Sequence, residues 1–135
     1  MGREDTLQYR DPEVEHLEHF EQTVHDLAAT ANREGPVAVM VTPNRVPIKP
    51  TVMDTTLQQQ IAAAAEHHAP GAWVYMPSAA GHDPMVLSDY LPCAMLFIPS
   101  IGGISHDFAE DSHPTDIVLG CQVLADAAAA ILQQA

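Results

Sequence analysis

Two loops hold the residue types able to do chemistry. The first reads Ser78-Ala79-Ala80-Gly81-His82-Asp83, between an apolar run and a short helical pattern. Its small residues would let a ligand approach the backbone. The N–H groups at the helix start just beyond it suit an anion or a carbonyl oxygen. The plainer reading is a tight turn with Asp83 as a cap. The second loop is Pro99-Ser100-Ile101-Gly102-Gly103-Ile104-Ser105-His106, after the apolar run Cys93–Ile98. In α/β sheets, sites gather beyond the carboxyl ends of strands. A histidine there suits a metal ligand or a general base. The plainer reading is a lone histidine bonded to backbone, because a metal needs about three protein ligands or more.

The remaining candidates are weaker. His16 and His19 share the outer side of an acidic helix, and His67-His68 sits at a helix end, where imidazolium suits the dipole. Solvated surface is the reading for all four. Ser78, Ser100 and Ser105 lack a G-x-S-x-G context. Cys93 and Cys121 form no C-x-x-C pair and read as reduced, buried thiols.

Charge narrows the partners. The 135 residues include 5 Lys+Arg and 18 Asp+Glu, a net charge of −13 with neutral histidines. This excess of acids argues against nucleic acid or an anionic membrane as partner, since phosphates demand Lys and Arg. All five basic residues (Arg3, Arg10, Arg33, Arg45, Lys49) precede Pro50, and residues 51–135 carry nine acids. An anionic substrate must then be held by a metal, by backbone N–H groups or by Arg10. Most of the acids read as a solvated face. The hydrophobic share of 47% suffices for a packed core. No apolar run is expected to approach the ~20 residues of a membrane-spanning helix. Met1–Arg10 is too polar for a secretory leader. A cytoplasmic location is the expectation.

The elements that would carry these loops alternate. Thr6–Tyr9 is a strand candidate. Asp11-Pro12 opens a helix with Val14, Leu17, Phe20, Val24, Leu27, Ala28 and Ala31 as one apolar stripe, ended by Gly35-Pro36. Val37–Thr42 is a second strand. Pro43, Pro47 and Pro50 mark a linker. Next come a helix over 54–68, a strand at Ala72–Met76, a short helix capped by Asp83, the buried strand Cys93–Ile98 and a last helix over 114–133. That helix should turn Ile117, Cys121, Leu124, Ala128 and Ile131 inward. The alternation indicates an α/β layered fold. The first half has two strands and one helix, too few to cover both faces of a sheet. The second has two clear strands with helices enough for a larger sheet. This predicts parts of two domains, each missing its complement.

With these residues in view, the chain resembles the C-terminal end of the M20-type metal-dependent amidohydrolases. MPSAAGHDPMVL, LPCAMLFIPSIGGISHDFAED and TDIVLGCQVLADA carry the resemblance. It is strongest to the branch of N-carbamoyl-L-amino acid hydrolases, allantoate amidohydrolases and bacterial β-ureidopropionases. Upstream, TLQYRDP is similar to the lid strand before its long helix, and VPIKPTVMD to the return into the catalytic domain. The resemblance implies an α/β fold in two parts. Residues 1–50 would be the second half of an α+β lid (strand–helix–strand) with its linker, and 51–135 the C-terminal portion of a catalytic domain with a mixed sheet. It implies that His106 is the last ligand of a two-ion zinc or manganese site. It further implies that Gly81 contacts substrate through its backbone, that His82 supports that loop, and that Arg10 grips the substrate carboxylate.

The departures are as informative. Ala79 replaces a glycine and Gln8 an aspartate of the family pattern, and no H-x-D or Glu-Glu occurs. The chain thus has no catalytic base and one expected metal ligand. This combination leads to the expectation of a split enzyme. A second polypeptide would bring the N-terminal catalytic half, or the chain would self-associate through the lid, with a small N-carbamoyl or ureido acid as substrate. The alternative is a non-catalytic remnant or accessory protein that kept the fold.

Overall fold

The computed structural model describes residues 3–133. Residues 1–2 and 134–135, the outer ends of the two expected parts, lie outside the described residues. Four α-helices form: α1 (Val14–Glu34), α2 (Thr55–His68), α3 (Asp83–Leu87) and α4 (Pro114–Leu132). A 3-10 turn covers Ile101–Gly103. The chain divides into two compact units, Met1–Thr51 with Pro77–Ala80, and Val52–Met76 with Gly81–Ala135.

The first unit is built on α1. Asp11 closes its start by accepting the Glu13 N–H at 2.8 Å. That bond is the largest cause holding the Asp11 carboxyl below its ordinary value, and the His16 ring at 3.0 Å adds to it. The helix ends at Gly35, whose N–H bonds the Ala31 carbonyl at 2.9 Å. Leu17, Val24, Ala28 and Ala31 are half-buried, while Val14, Phe20 and Leu27 stay exposed. Phe20 meets the Tyr9 ring at 4.7 Å.

The second unit is held by α2 against α4. Asp54 caps α2, accepting the Leu57 N–H at 2.8 Å. Ala64 and Ala65 are buried against Val123 and Ala127, flanked by Ile61, Trp73, Leu96 and Leu119. Ala127 is 1% exposed. At Gly120 a Cβ would lie 2.5 Å from the Ile98 Cγ2, so a side chain there would push the 93–98 segment off α4. The Asp54 N–H bonds the Cys93 carbonyl at 2.8 Å and ties that segment to the start of α2.

Several expectations are corrected. The strand–helix–strand lid and the mixed sheet are not formed: among the described residues Thr6–Tyr9, Val37–Thr42, Ala72–Met76 and Cys93–Ile98 contain no strand. A strand exists only through pairing, and in Val37–Thr42 the groups of Val39 are taken by a side chain. The Asn32 side chain takes both groups of Val39, donating to its carbonyl at 2.8 Å and accepting its N–H at 2.6 Å. Val39 therefore has a side-chain amide where a neighbouring strand would sit. In α3 the capping position belongs to His82, with Asp83 one residue inside. Cys93 is buried as expected, but Cys121 is exposed.

The face of α4 is corrected too. Val123 and Ala127 point inward, while Ile117 is 45% and Leu124 56% exposed, with Cys121 between them. The helix is apolar on both sides and only one side is covered, although an all-round apolar helix belongs in an interior. By length and composition its 19 residues could also cross a bilayer, contrary to the expectation that no run approaches that length.

Two outcomes test this packing. Ala127→Leu forces extra volume between α2 and α4 and should cost about 1–3 kcal/mol of unfolding free energy in urea. Leu124→Ala on the open face of the same helix should cost under about 0.5 kcal/mol. The second concerns Glu66, held below its ordinary value chiefly by the Trp73 indole N–H at 2.6 Å, then by the Gly71 N–H at 3.3 Å. A depressed carboxyl contributes stability that is present above its unfolded value near 4.5 and fades as pH falls through the lower folded value. The fluorescence of Trp73, the single tryptophan, should follow that protonation below pH 4.5, and Glu66→Gln should abolish the step.

Candidate functional site

The Ser78–Asp83 loop crosses from one unit to the other. Its first part, with Pro77–Ala80, belongs with α1. There Arg10 donates from Nη1 to the Ala79 carbonyl. The Ser78 Oγ accepts the Ala80 N–H at 3.3 Å. Arg10 thus holds the loop by its backbone, a role that the sequence does not signal. A guanidinium carries five N–H donors, so this bond leaves capacity for a carboxylate.

The second part lies in the other unit. Gly81, His82, Asp83 and Pro84 line an open groove of about 460 Å³ with Met95, Leu96 and Phe97. The His82 ring leans on Phe97 with centroids 5.4 Å apart. A Cβ at Gly81 would meet nothing within 4 Å, so the side of the glycine where a side chain would stand is open. The groove therefore has an uncovered backbone stretch, one imidazole and an apolar floor. Such a lining can bind a small ligand through backbone and imidazole bonds; it contains no nucleophile and no pair of carboxylates.

His106 sits on the other loop, which is closed by its own bonds. The Ile101 N–H bonds the Asp111 carbonyl at 2.8 Å, and the Ser112 hydroxyl donates to the Pro99 carbonyl at 2.8 Å. Gly102 and Gly103 both take left-handed backbone, at φ 68° and 69°. Only glycine adopts two such residues in a row without steric cost. His106 is also left-handed, at φ 57°. Histidine visits this region more often than most residues, but it remains uncommon. Glu110 holds it there, its Oε2 accepting the His106 N–H at 2.7 Å. Glu110 is a supporting residue that sequence reasoning missed; its four-residue spacing from His106 in a loop gives no periodic signal.

The structure places Gly81 and His82 in one groove, His106 on a separate loop of the same unit, and Arg10 in the other unit. The resemblance gives this chain one metal ligand, His106, with the other ligands coming from outside it. Among the described residues, no two further His, Cys, Asp or Glu side chains converge with His106 closely enough to hold an ion. The one group that does converge is His67, His68 and Asp126.

Known proteins resemble the chain strongly over short stretches. No family model matches it. It is 48% identical over 50 residues to an allantoate amidohydrolase of Escherichia coli, covering 37% of this chain and 12% of that protein. It is 36% identical over 81 residues to the allantoate amidohydrolase of Bacillus subtilis, covering 58% of this chain and 19% of the relative. In structure it is similar to an amidase of the hydantoinase/carbamoylase family from Burkholderia phymatum. The TM-score is 0.81 at 37% identity, over 90% of this chain and 28% of the amidase. These likenesses support the M20-type resemblance. The chain spans less than a fifth of the length of these two curated relatives.

The Arg10 bond gives a direct test. Arg10→Ala should speed amide exchange in the peptide spanning residues 77–81 by up to about tenfold, the scale of one hydrogen bond near 1 kcal/mol. Arg10→Lys, with its single ammonium, should restore part of the protection in hydrogen–deuterium mass spectrometry.

Proposed function

We infer that this chain is the C-terminal portion of an amidohydrolase acting on linear C–N bonds, of the N-carbamoyl amino acid or ureido acid type. Polypeptide beyond these 135 residues would complete it. The observation that carries this reading is the amidase match: 90% of this chain corresponds to 28% of that one at TM-score 0.81. The open face of α4 and the apolar segment 93–98, which forms no strand, support it, since both are what a domain core looks like when cut through.

In this reading the roles divide. The complementary polypeptide supplies the H-x-D and Glu-Glu residues, and with them the base and most ligands of a two-ion zinc or manganese centre. This chain supplies binding groups and one ligand, His106. The Gly81 backbone and His82 face the substrate. Arg10 grips its carboxylate, where a planar fork matches two oxygens. His106 would hold one ion of that centre; a divalent ion there would supply Lewis-acid polarisation of the substrate carbonyl and a more acidic water, and a glutamate of the complementary polypeptide would carry the proton to the leaving nitrogen.

The test is reconstitution. Purified alone, the chain should hydrolyse no N-carbamoyl amino acid. Combined with a polypeptide carrying the H-x-D and Glu-Glu segments, it should form a stoichiometric complex that does. In that complex Arg10→Ala should raise KM by about tenfold or more, and His106→Ala should lower kcat by at least about a hundredfold. Hydrolysis by the chain alone would overturn the reading. A stable complex without hydrolysis would overturn it in favour of an accessory protein.

A further inference from the structure

We propose that His67, His68 and Asp126 form a divalent transition-metal site that ties the end of α2 to α4. The proposal does not rest on the amidohydrolase reading and excludes the His106 loop. The three side chains each bring one ligand atom, and these atoms all lie within 4.8 Å of one another. His68 Nε2 already meets Asp126 Oδ2 at 2.7 Å across a 58-residue separation. The two imidazole rings stand edge to face, 4.9 Å apart.

Three features make this more than a surface cluster. First, the carriers are fixed: α2 and α4 are locked by Ala64, Ala65, Val123 and Ala127, so the ligands sit on rigid elements rather than on loops. The His68 side chain is only 22% exposed, while Asp126 at 56% leaves a path for water and ion. Second, the neighbouring carboxylate is committed. Glu66 accepts from Trp73 and Gly71, so the ligand set is two imidazoles and one carboxylate. Third, residues 51–135 contain no Lys or Arg, so in this unit no fixed cation offsets Asp126. The last turn of α2 adds the negative end of its dipole.

Two imidazoles and a carboxylate suit zinc, nickel or copper over magnesium or calcium, with water completing the shell. Ligand atoms on tetrahedral zinc lie about 3.3 Å apart. A small opening of the His68–Asp126 pair would therefore seat the ion between the two ligand atoms that now meet at 2.7 Å.

The test is titration of the full chain with zinc sulfate by calorimetry, with X-ray absorption on the loaded sample. One equivalent should bind, with two imidazoles in the zinc shell. His67→Ala and Asp126→Asn should each weaken binding by about tenfold or more, the scale of a lost ligand contact. His67 is exposed, so its removal spares the packing. His106→Ala should leave the affinity unchanged. Absence of saturable binding, affinity unchanged from the wild-type chain in His67→Ala and Asp126→Asn, or loss confined to His106→Ala would each overturn the proposal.

Discussion

Four small side chains, Ala64 and Ala65 against Val123 and Ala127, hold the second unit together. Alanine faces allow two helix backbones to approach closely, and every feature of the unit is registered on that approach. It places Trp73 over the end of α2, where Glu66 receives the indole N–H. It brings His68 to Asp126. It leaves room at Gly120 for Ile98, and so sets where the 93–98 segment and the two loops flanking it run.

The same contact exposes what is lacking. A helix with apolar residues on both sides needs cover on both, and among the described residues α2 and the 93–98 segment cover α4 on one side. The side bearing Ile117, Cys121 and Leu124 has no covering element among the described residues. Hydrophobic burial is the main favourable term in folding, so a chain that exposes this much apolar surface gives up much of it.

How far the sequence spoke depends on whether a signal is local. Helices were legible because caps and stops lie within a few residues of what they act on: Asp54 before α2, Gly35-Pro36 after α1, Pro114 at the start of α4. Strands were not, because pairing is a property of two segments, and a run such as Val37–Thr42 carries no mark of whether its partner is present. The inward face of α4 was misread because an all-round apolar helix has no single stripe to point with. At the site, Gly81, His82 and the Gly102–Gly103 turn could be singled out from loop composition. The hold of Arg10 on Ala79 spans 69 positions and that of His68 on Asp126 spans 58, distances at which residue spacing is silent.

The absence of lysine and arginine beyond Lys49 reaches past electrostatics. Proteases that cut after basic residues find no bond to cleave between Pro50 and the final alanine, so the whole second unit leaves a digest as one piece. Enzymes that attach acyl or protein tags to lysine amines find no acceptor there either. Any such modification of this polypeptide at lysine must fall on Lys49 itself, in the proline-marked linker.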